Sequence, residues 1–197
     1  MYSVYTHKAN DQKLLLNKKE FFSQFDVVDA EAFLKQIKDS FWEANRCRPR
    51  GAFYSGLRYC FSEIDMLGKF LKGEFGSQNT AENSINFMKR YMSSINKRYK
   101  KLAGLIIDMY RHGLMHTHMT KLVKLGNGKI LGWELQDTDS NSQHLTLKSV
   151  DHGYNLVINV YQFIEDFLKG LDNYEKDLKS RPRYLKIILK KAILVWL

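Results

Sequence analysis

The chain has 197 residues, with 31 Lys and Arg against 21 Asp and Glu, a formal charge of +10, and 44% apolar residues. A length below about 250 residues is typical of one domain with one core, and this apolar fraction disfavours disordered and fibrous proteins. We therefore expect residues 1–197 to form a single domain.

Helical periodicity covers the first half of the chain. Apolar residues three and four positions apart predict a helix within 27–46 and a second helix over 53–71. A third apolar stripe runs from 79 to 109, and Ser93 and Ser94 can divide it into two helices. The first half is therefore expected to be helical.

The period then changes to that of strands. KLVKL and ILGWELQ predict two strands joined by a turn at Gly126, Asn127 and Gly128, and HLTLKSV predicts a third strand. From Asp151 onward the apolar spacing is helical again. The predicted fold is mainly α, a bundle of four to six helices with a small antiparallel β-sheet, a meander over about 121–150, inserted before the last long helix.

The last segment, 181–197, is basic and apolar at once. Lys186, Lys190 and Lys191 lie among Leu, Ile and Val residues. Such a tail can lie on an anionic membrane surface, or it can pack against its own bundle or a second subunit. The second interpretation is the more common one for the end of a globular chain.

Cysteine content and hydropathy bear on the compartment. Cys47 and Cys60 are too few for a disulfide-stapled secreted domain. The N-terminal stretch is too polar for a secretion signal, and no apolar run approaches the roughly 20 residues that span a bilayer. We expect a cytoplasmic protein without stable membrane insertion.

Positive charge is concentrated in the centre and the tail. Residues 86–124 carry nine basic side chains against Asp108 alone, and 179–197 carry six basic and no acidic ones. Clustered Lys and Arg favour a polyanionic partner because each can release counterions from a phosphate. The same charges can instead form the solvated faces of helices.

Most motifs that carry known chemistry do not occur in the sequence. The chain has no Gly-rich phosphate loop, Gly-x-Ser-x-Gly elbow, paired Cys-x-x-Cys or His-Glu-x-x-His. The remaining candidate is YRHGLMHTHMTK, residues 110–121, which holds three of the six histidines beside an arginine. These four residues are Arg111, His112, His116 and His118.

This string resembles the signature of the HEPN superfamily, an arginine usually followed by Asn, Asp or His and then, after four to six intervening residues, a histidine. Arg111, His112 and His116 match with four intervening residues, and Arg111 and His118 match with six. The resemblance implies an HEPN-like bundle and a metal-independent endoribonuclease without a cofactor. It also implies a homodimer whose arginines and histidines meet at the interface. The family often serves in toxin–antitoxin and antiviral defence systems, which would make an antitoxin a further partner.

These residue types suit RNA cleavage. Imidazole can deprotonate the 2′-OH and protonate the leaving 5′-oxygen near pH 7, and a guanidinium can stabilise the charge on the phosphate. We assign His116 as the general acid or base and Arg111 as the phosphate clamp. His112 would orient His116, and His118 is the reserve candidate. On an ideal helix Arg111 and His116 lie about 140° apart.

Basic side chains outside the motif are expected to contact RNA phosphates. They are Arg46, Arg48, Arg50, Lys97, Arg98, Lys100, Lys101 and Lys121. The three arginines near position 48 share one loop and can equally be solvated. Tyr91, Tyr99 and Tyr110 lie between the basic residues, where they can stack on bases or belong to the core.

Two other interpretations of the histidine cluster are open. The histidines can be polar residues at a helix C-terminus, where the helix dipole favours imidazolium. Asp108, His112 and His116 occupy successive i, i+4 positions and can together bind Zn²⁺. The alternative for the whole protein is a non-catalytic helical module that binds nucleic acid or an acidic protein through 86–124.

Overall fold

The structure is a computed structural model that describes residues 34–39, 53–72, 79–116, 121–137, 143–151 and 153–180. The elements in chain order are α1 (34–39), α2 (Phe53–Lys72), α3 (Thr80–Phe87), α4 (Arg98–Ile106), α5 (His112–His116), β1 (Val123–Lys124), β2 (Ile130–Gln136), β3 (Thr146–Val150), β4 (Gly153–Asn159) and α6 (Val160–Ser180). The π-helical turns that extend α3 and α4 are Met88–Met92 and Ile107–Arg111. The fold is mainly helical, with a small four-stranded sheet and a long last helix.

The helices of the first half occur where the apolar spacing predicts them. α1 lies within the predicted 27–46, and α2 coincides with the predicted 53–71. The third stretch is divided as expected, because a turn at Ser93 and Ser94 separates the π-helical turn after α3 from α4. From Arg98 the chain then continues through the second π-helical turn into α5 without a break.

α2 and α3 pack in close contact because Gly68 has no side chain. A Cβ atom on Gly68 would lie 2.5 Å from the carbonyl oxygen of Asn83. On the facing side, Asn83 and Ser84 of α3 are completely buried. The close approach therefore brings polar groups of α3 into the interior, beside α2.

α6 packs against the other helices along its length. Phe163 contacts Phe61 of α2 with ring centroids 5.1 Å apart, and Tyr174 contacts Tyr91 edge-on at 5.2 Å. At the surface, Lys38 of α1 is 2.6 Å from the Asp172 carboxylate. Aromatic side chains at helical spacing thus form much of the core, where their large apolar surface is removed from water.

The sheet is mixed, so the prediction of an antiparallel meander is wrong in part. The strand order is β1-β2-β4-β3, and β2 pairs with β4 in parallel. The β1–β2 hairpin is confirmed, and Gly128 adopts a positive φ of 82° in its turn. The difference arises because β3 pairs with β4 across a tight turn at Asp151, and β4 enters the sheet between β2 and β3.

The last helix starts later than the sequence predicts. Residues 153–159 form β4, and α6 begins at Val160 rather than near Asp151, so the sheet extends beyond the predicted boundary at 150. Val157 lies three positions before Val160 and therefore fits the helical pattern by coincidence. The close approach of β4 to β2 requires a glycine at position 153, because a Cβ there would lie 2.0 Å from the Ile130 carbonyl oxygen.

The π-helical turn before α5 connects the bundle to the sheet. Tyr110, in this turn, is fully buried and donates a hydrogen bond of 2.5 Å to the Leu156 carbonyl oxygen in β4. Burial raises the pKa of the Tyr110 hydroxyl, so the group stays a neutral donor. This bond fixes Arg111, the next residue, relative to the sheet.

Two glycines of the helices should respond oppositely to substitution by alanine. Gly68→Ala is expected to lower the free energy of unfolding by about 1–3 kcal/mol, because its Cβ would overlap the α3 backbone. Gly104→Ala in α4 is expected to raise it by about 1 kcal/mol, because nothing lies within 4 Å of the new Cβ and alanine favours the helix. Urea unfolding of both variants measures the difference, and equal effects would contradict the described packing.

Candidate active site

Arg111 forms an ion pair inside the helical bundle. It ends the π-helical turn, and both its Nε and its Nη2 donate to Oδ2 of Asp65, at 2.9 and 2.7 Å. The two side chains are only 14% and 13% exposed. Arg111 therefore points toward α2, and its position is determined by a carboxylate that lies 46 residues earlier in the chain.

Asp65 also contacts α3. Its Oδ1 accepts a short hydrogen bond from the Ser84 hydroxyl, which lies 2.7 Å from the Thr80 carbonyl oxygen as well. Because Ser84 is buried by the close α2–α3 contact, one carboxylate connects α2, α3 and the turn that carries Arg111. The Arg111 guanidinium is consequently held at two of its three nitrogens.

One nitrogen of the Arg111 guanidinium is not bound by the described part of the protein. Nη1 of Arg111 has no hydrogen-bond partner among the described residues, and it does not belong to their buried polar atoms that lack one. An arginine fixed on one edge keeps two N–H donors on the other.

His112 points to a different partner from Arg111, although the two residues are consecutive. Its Nδ1 lies 3.7 Å from the Asp108 carboxylate, and Lys121 approaches the same oxygen at 2.8 Å. All three side chains are well exposed, between 39% and 54%. The described part of the motif thus has an inward arginine and an outward cluster of Asp108, His112 and Lys121.

The other two histidines of the motif are less completely described. His116 is the last residue of α5, and the position of its side chain lies outside the described part. His118 also lies outside the described residues. The π-helical turn ends at Arg111, and the residues between Arg111 and His116 are α-helical. The expected angle of about 140° between these two residues is therefore not reduced.

The described residues supply only two of the three ligands that the zinc interpretation needs. Within the described ranges, no three His, Cys, Asp or Glu side chains come together as a metal site. Asp108 and His112 are neighbours, and the third residue of that interpretation is His116.

The predicted RNA-binding residues fall into three groups. Lys97, Lys100 and Lys101 are exposed on α4 or directly before it, and none has a described acidic partner within 4 Å. Arg98 donates to the His144 carbonyl oxygen at 2.9 Å, and Lys121 pairs with Asp108, as noted above. The third group, Arg46, Arg48 and Arg50, lies outside the described residues, as does the basic and apolar tail 181–197.

The three tyrosines of the central segment belong to the core. Tyr99 and Tyr110 are completely buried, and Tyr91 is 5% exposed. Tyr91 donates to the Asp177 carboxylate at 2.9 Å, and Tyr110 bonds to the sheet. The suggestion that these rings stack on bases is wrong, and the alternative assignment to the core is confirmed.

A buried polar network contains the histidine that sequence reasoning missed. His144 Nδ1 accepts the Asn159 backbone N–H at 3.2 Å, so in the neutral imidazole the proton is on Nε2. Nε2 lies 3.0 Å from the Tyr99 hydroxyl and 3.5 Å from the Asp166 carboxylate, which also accepts from Gln162 at 2.7 Å. Burial and the Asp166 charge raise the pKa of Tyr99.

Neither Asp65 nor His144 has a local signal in the sequence. Asp65 is one of two acidic residues in an amphipathic helix, and His144 is the first residue of the predicted third strand. Their partners lie 46 and 22 positions away, so no spacing rule connects them. Because His144 is only 2% exposed, its network joins α4, the sheet and α6 rather than facing a substrate.

Comparison with known proteins adds no relative. No protein-family model, no curated protein and no solved structure gives a significant match to this chain. Among the described residues, no helix combines the length and the apolar content needed to cross a membrane. The geometry around Arg111 is therefore the main basis for a functional proposal.

The Arg111–Asp65 pair should be strongly coupled in a double-mutant cycle. Arg111→Ala and Asp65→Ala are each expected to lower the free energy of unfolding by about 2–4 kcal/mol, since each leaves a largely buried charge unpaired. The double variant should lose less than the sum, with a coupling energy of about 1–3 kcal/mol.

The matched control is the pair Arg90 and Asp177, whose side chains are 46% and 27% exposed. Its coupling energy is expected to stay below about 1 kcal/mol. Equal coupling in the two cycles, measured by urea unfolding, would contradict the described burial of Arg111.

Proposed function

We propose that the protein is an HEPN-like, metal-independent endoribonuclease that acts as a homodimer. The observation that carries the proposal is the Arg111 guanidinium, which Asp65 fixes at Nε and Nη2 while Nη1 has no partner among the described residues. A fixed fork with an unused edge suits a phosphate oxygen. His116 follows five residues later in the same helical stretch.

The proposed reaction is an internal transesterification of RNA. The 2′-oxygen attacks the neighbouring phosphorus, the bond from phosphorus to the 5′-oxygen breaks, and the products are a 2′,3′-cyclic phosphate and a free 5′-OH. The 2′-OH proton passes to an imidazole, and the 5′-oxygen receives a proton from an imidazolium. Arg111 Nη1 would donate to a non-bridging oxygen, where negative charge increases in the transition state.

Two imidazoles are needed on opposite sides of the phosphorus, and this need favours a dimer. One histidine does not easily reach both the attacking and the leaving oxygen of an in-line displacement. A two-fold axis would bring a second His116 to the site and give each protomer the same contacts. A toxin or defence role, with an antitoxin as partner, belongs to the same proposal.

Asp65 would act as a positioning residue. It touches neither RNA nor the reacting atoms in this proposal, but it holds the guanidinium at a fixed angle through two hydrogen bonds. Ser84 in turn orients the carboxylate. The Arg111–Asp65 pair has almost no net charge, so it contributes directed hydrogen bonds and little long-range attraction for RNA. The lysines of α4 can supply that attraction.

A second candidate function is a non-catalytic module that binds nucleic acid or an acidic protein. The observation that favours it is the small exposure of Arg111, 14%, together with a carboxylate that already balances its charge. In that case Arg111 would be a structural residue, and the exposed lysines of α4 would supply the binding surface. The two candidates differ in one measurable property, the cleavage of RNA.

The discriminating experiment measures cleavage of a labelled RNA in the presence of EDTA. The wild-type protein is expected to cut it and to leave cyclic phosphate ends. Arg111→Ala is expected to reduce kcat by about 10²–10³, because it removes a transition-state donor. His116→Ala is expected to reduce it by about 10²–10⁴, because it removes proton transfer.

The control is Arg90→Ala, which removes an arginine of a different carboxylate pair, 2.6 Å from Asp177, outside the proposed site. It should leave cleavage unchanged. Cleavage that persists in a folded His116→Ala protein, or that needs added metal, would exclude the assignment. Binding of RNA without any cleavage by the wild type would support the second candidate.

A further inference from the structure

The outer face of α4 carries a row of positive charge. At about 100° per residue, Lys97, Lys100, Lys101, Gly104 and Asp108 all fall within an arc of about 100°. The opposite side of the same helix is occupied by residues that are completely buried, namely Tyr99, Ala103 and Ile106. The burial pattern therefore confirms that the lysine arc faces outward.

The three lysines are available to a ligand. Each is exposed, and no described acidic side chain lies within 4 Å of any of them. The acidic residue at the far end of the arc, Asp108, is already paired with Lys121 at 2.8 Å. The face is thus positive over its first two turns and partly neutralised where it reaches His112.

Gly104 lies at the centre of this arc. A Cβ atom built on Gly104 meets no atom within 4 Å, so the helix surface is open at this point. A ligand lying on the lysines would pass directly over this position. Any side chain introduced there would contact the ligand without disturbing the interior.

The chemistry of the face indicates what it can recognise. The tyrosines of this segment are buried, and no aromatic residue is among the exposed large hydrophobic side chains of the described part. The described part of this face therefore offers no aromatic side chain on which bases can stack, and ammonium groups contact phosphates regardless of sequence. Recognition by this face should therefore depend on backbone charge and salt.

We propose that single-stranded RNA lies along the outer face of α4, with its phosphates on Lys97, Lys100 and Lys101, and continues toward His112. The proposal rests on the proposed function in taking RNA as the substrate. The arc from 97 to 108 is about 16 Å long, and a stacked strand rises about 3.4 Å per nucleotide, so the face holds about five nucleotides. Duplex RNA is typically read across about 16 base pairs, far more than this row can contact.

Three substitutions at Gly104 that differ in charge test directly whether RNA lies along this face. The probe is a fluorescent 2′-O-methyl oligouridine of twelve nucleotides, which cannot be cut because its 2′-oxygens are methylated. Its binding is measured by fluorescence anisotropy. Gly104→Glu is expected to weaken binding by about three- to tenfold, Gly104→Gln to leave it nearly unchanged, and Gly104→Lys to strengthen it. The space around Gly104 allows all three variants to fold, which circular dichroism checks.

A triple variant tests the lysines themselves. Replacing Lys97, Lys100 and Lys101 by Gln should reduce the magnitude of the slope of log K against log salt by about 2, since each phosphate contact on a single strand contributes about 0.7. The charge-matched control replaces three lysines on other helices that have no described ion pair, and it should leave the slope unchanged. These control residues are Lys35, Lys69 and Lys176.

Several outcomes would overturn the inference. The first two are equal RNA affinities of the three Gly104 variants and an equal decrease of the salt slope in the control triple variant. The others are tighter binding of a duplex than of the single strand, a preference for oligoadenosine over oligouridine of more than tenfold, and displacement of RNA by an equal concentration of polyglutamate. The result is independent of catalysis. If the wild type does not cleave RNA but the Gly104 series holds, the ribonuclease proposal fails and this one stands; if cleavage occurs and the series is flat, only this one fails.

Discussion

The ion pair between Arg111 and Asp65 is the interaction on which the arrangement of the candidate site depends. It takes two charges largely out of water, which is unfavourable unless their geometry and remaining hydrogen bonds are satisfied. Here Oδ2 accepts two N–H groups and Oδ1 accepts the Ser84 hydroxyl, so the carboxylate is well satisfied. That arrangement requires α2 and α3 to approach closely, and Gly68 permits it.

The helical stretch from Arg98 to His116 has two chemically different sides. Its inner side is fixed by a hydrogen bond between Tyr99 and His144 and by one from Tyr110 to β4, besides the Arg111 pair. Its outer side presents lysines that no described acid neutralises. A rigid inner side can hold a guanidinium at a constant angle, while the outer side attracts a polyanion. In the proposed ribonuclease these are two separate tasks, positioning and binding, on one helix.

The sequence is informative where structure follows from local spacing and uninformative where it follows from contacts between distant residues. The helices of the first half, the break at Ser93 and the β1–β2 hairpin were predictable from apolar periods and turn residues. The start of α6 was not, because strand β4 contains Val157, which also fits the helical period. Asp65 and the His144 network depend on side chains brought together by folding. Which basic side chains of the segment 86–124 face outward and which face inward likewise depends on how the folded helix is rotated about its axis.

The central claim is that Arg111 is fixed by Asp65 and keeps one edge for a phosphate. The most direct measurement is the ¹H–¹⁵N spectrum of the arginine side chains, titrated with the uncleavable oligonucleotide. The account predicts a protected Arg111 Nε–H signal that keeps its shift, and an Nη signal that moves on addition of RNA and is absent from the Arg111→Lys protein. An Nε–H that exchanges freely with water, or Nη signals whose chemical shifts do not change at saturating RNA, would contradict it.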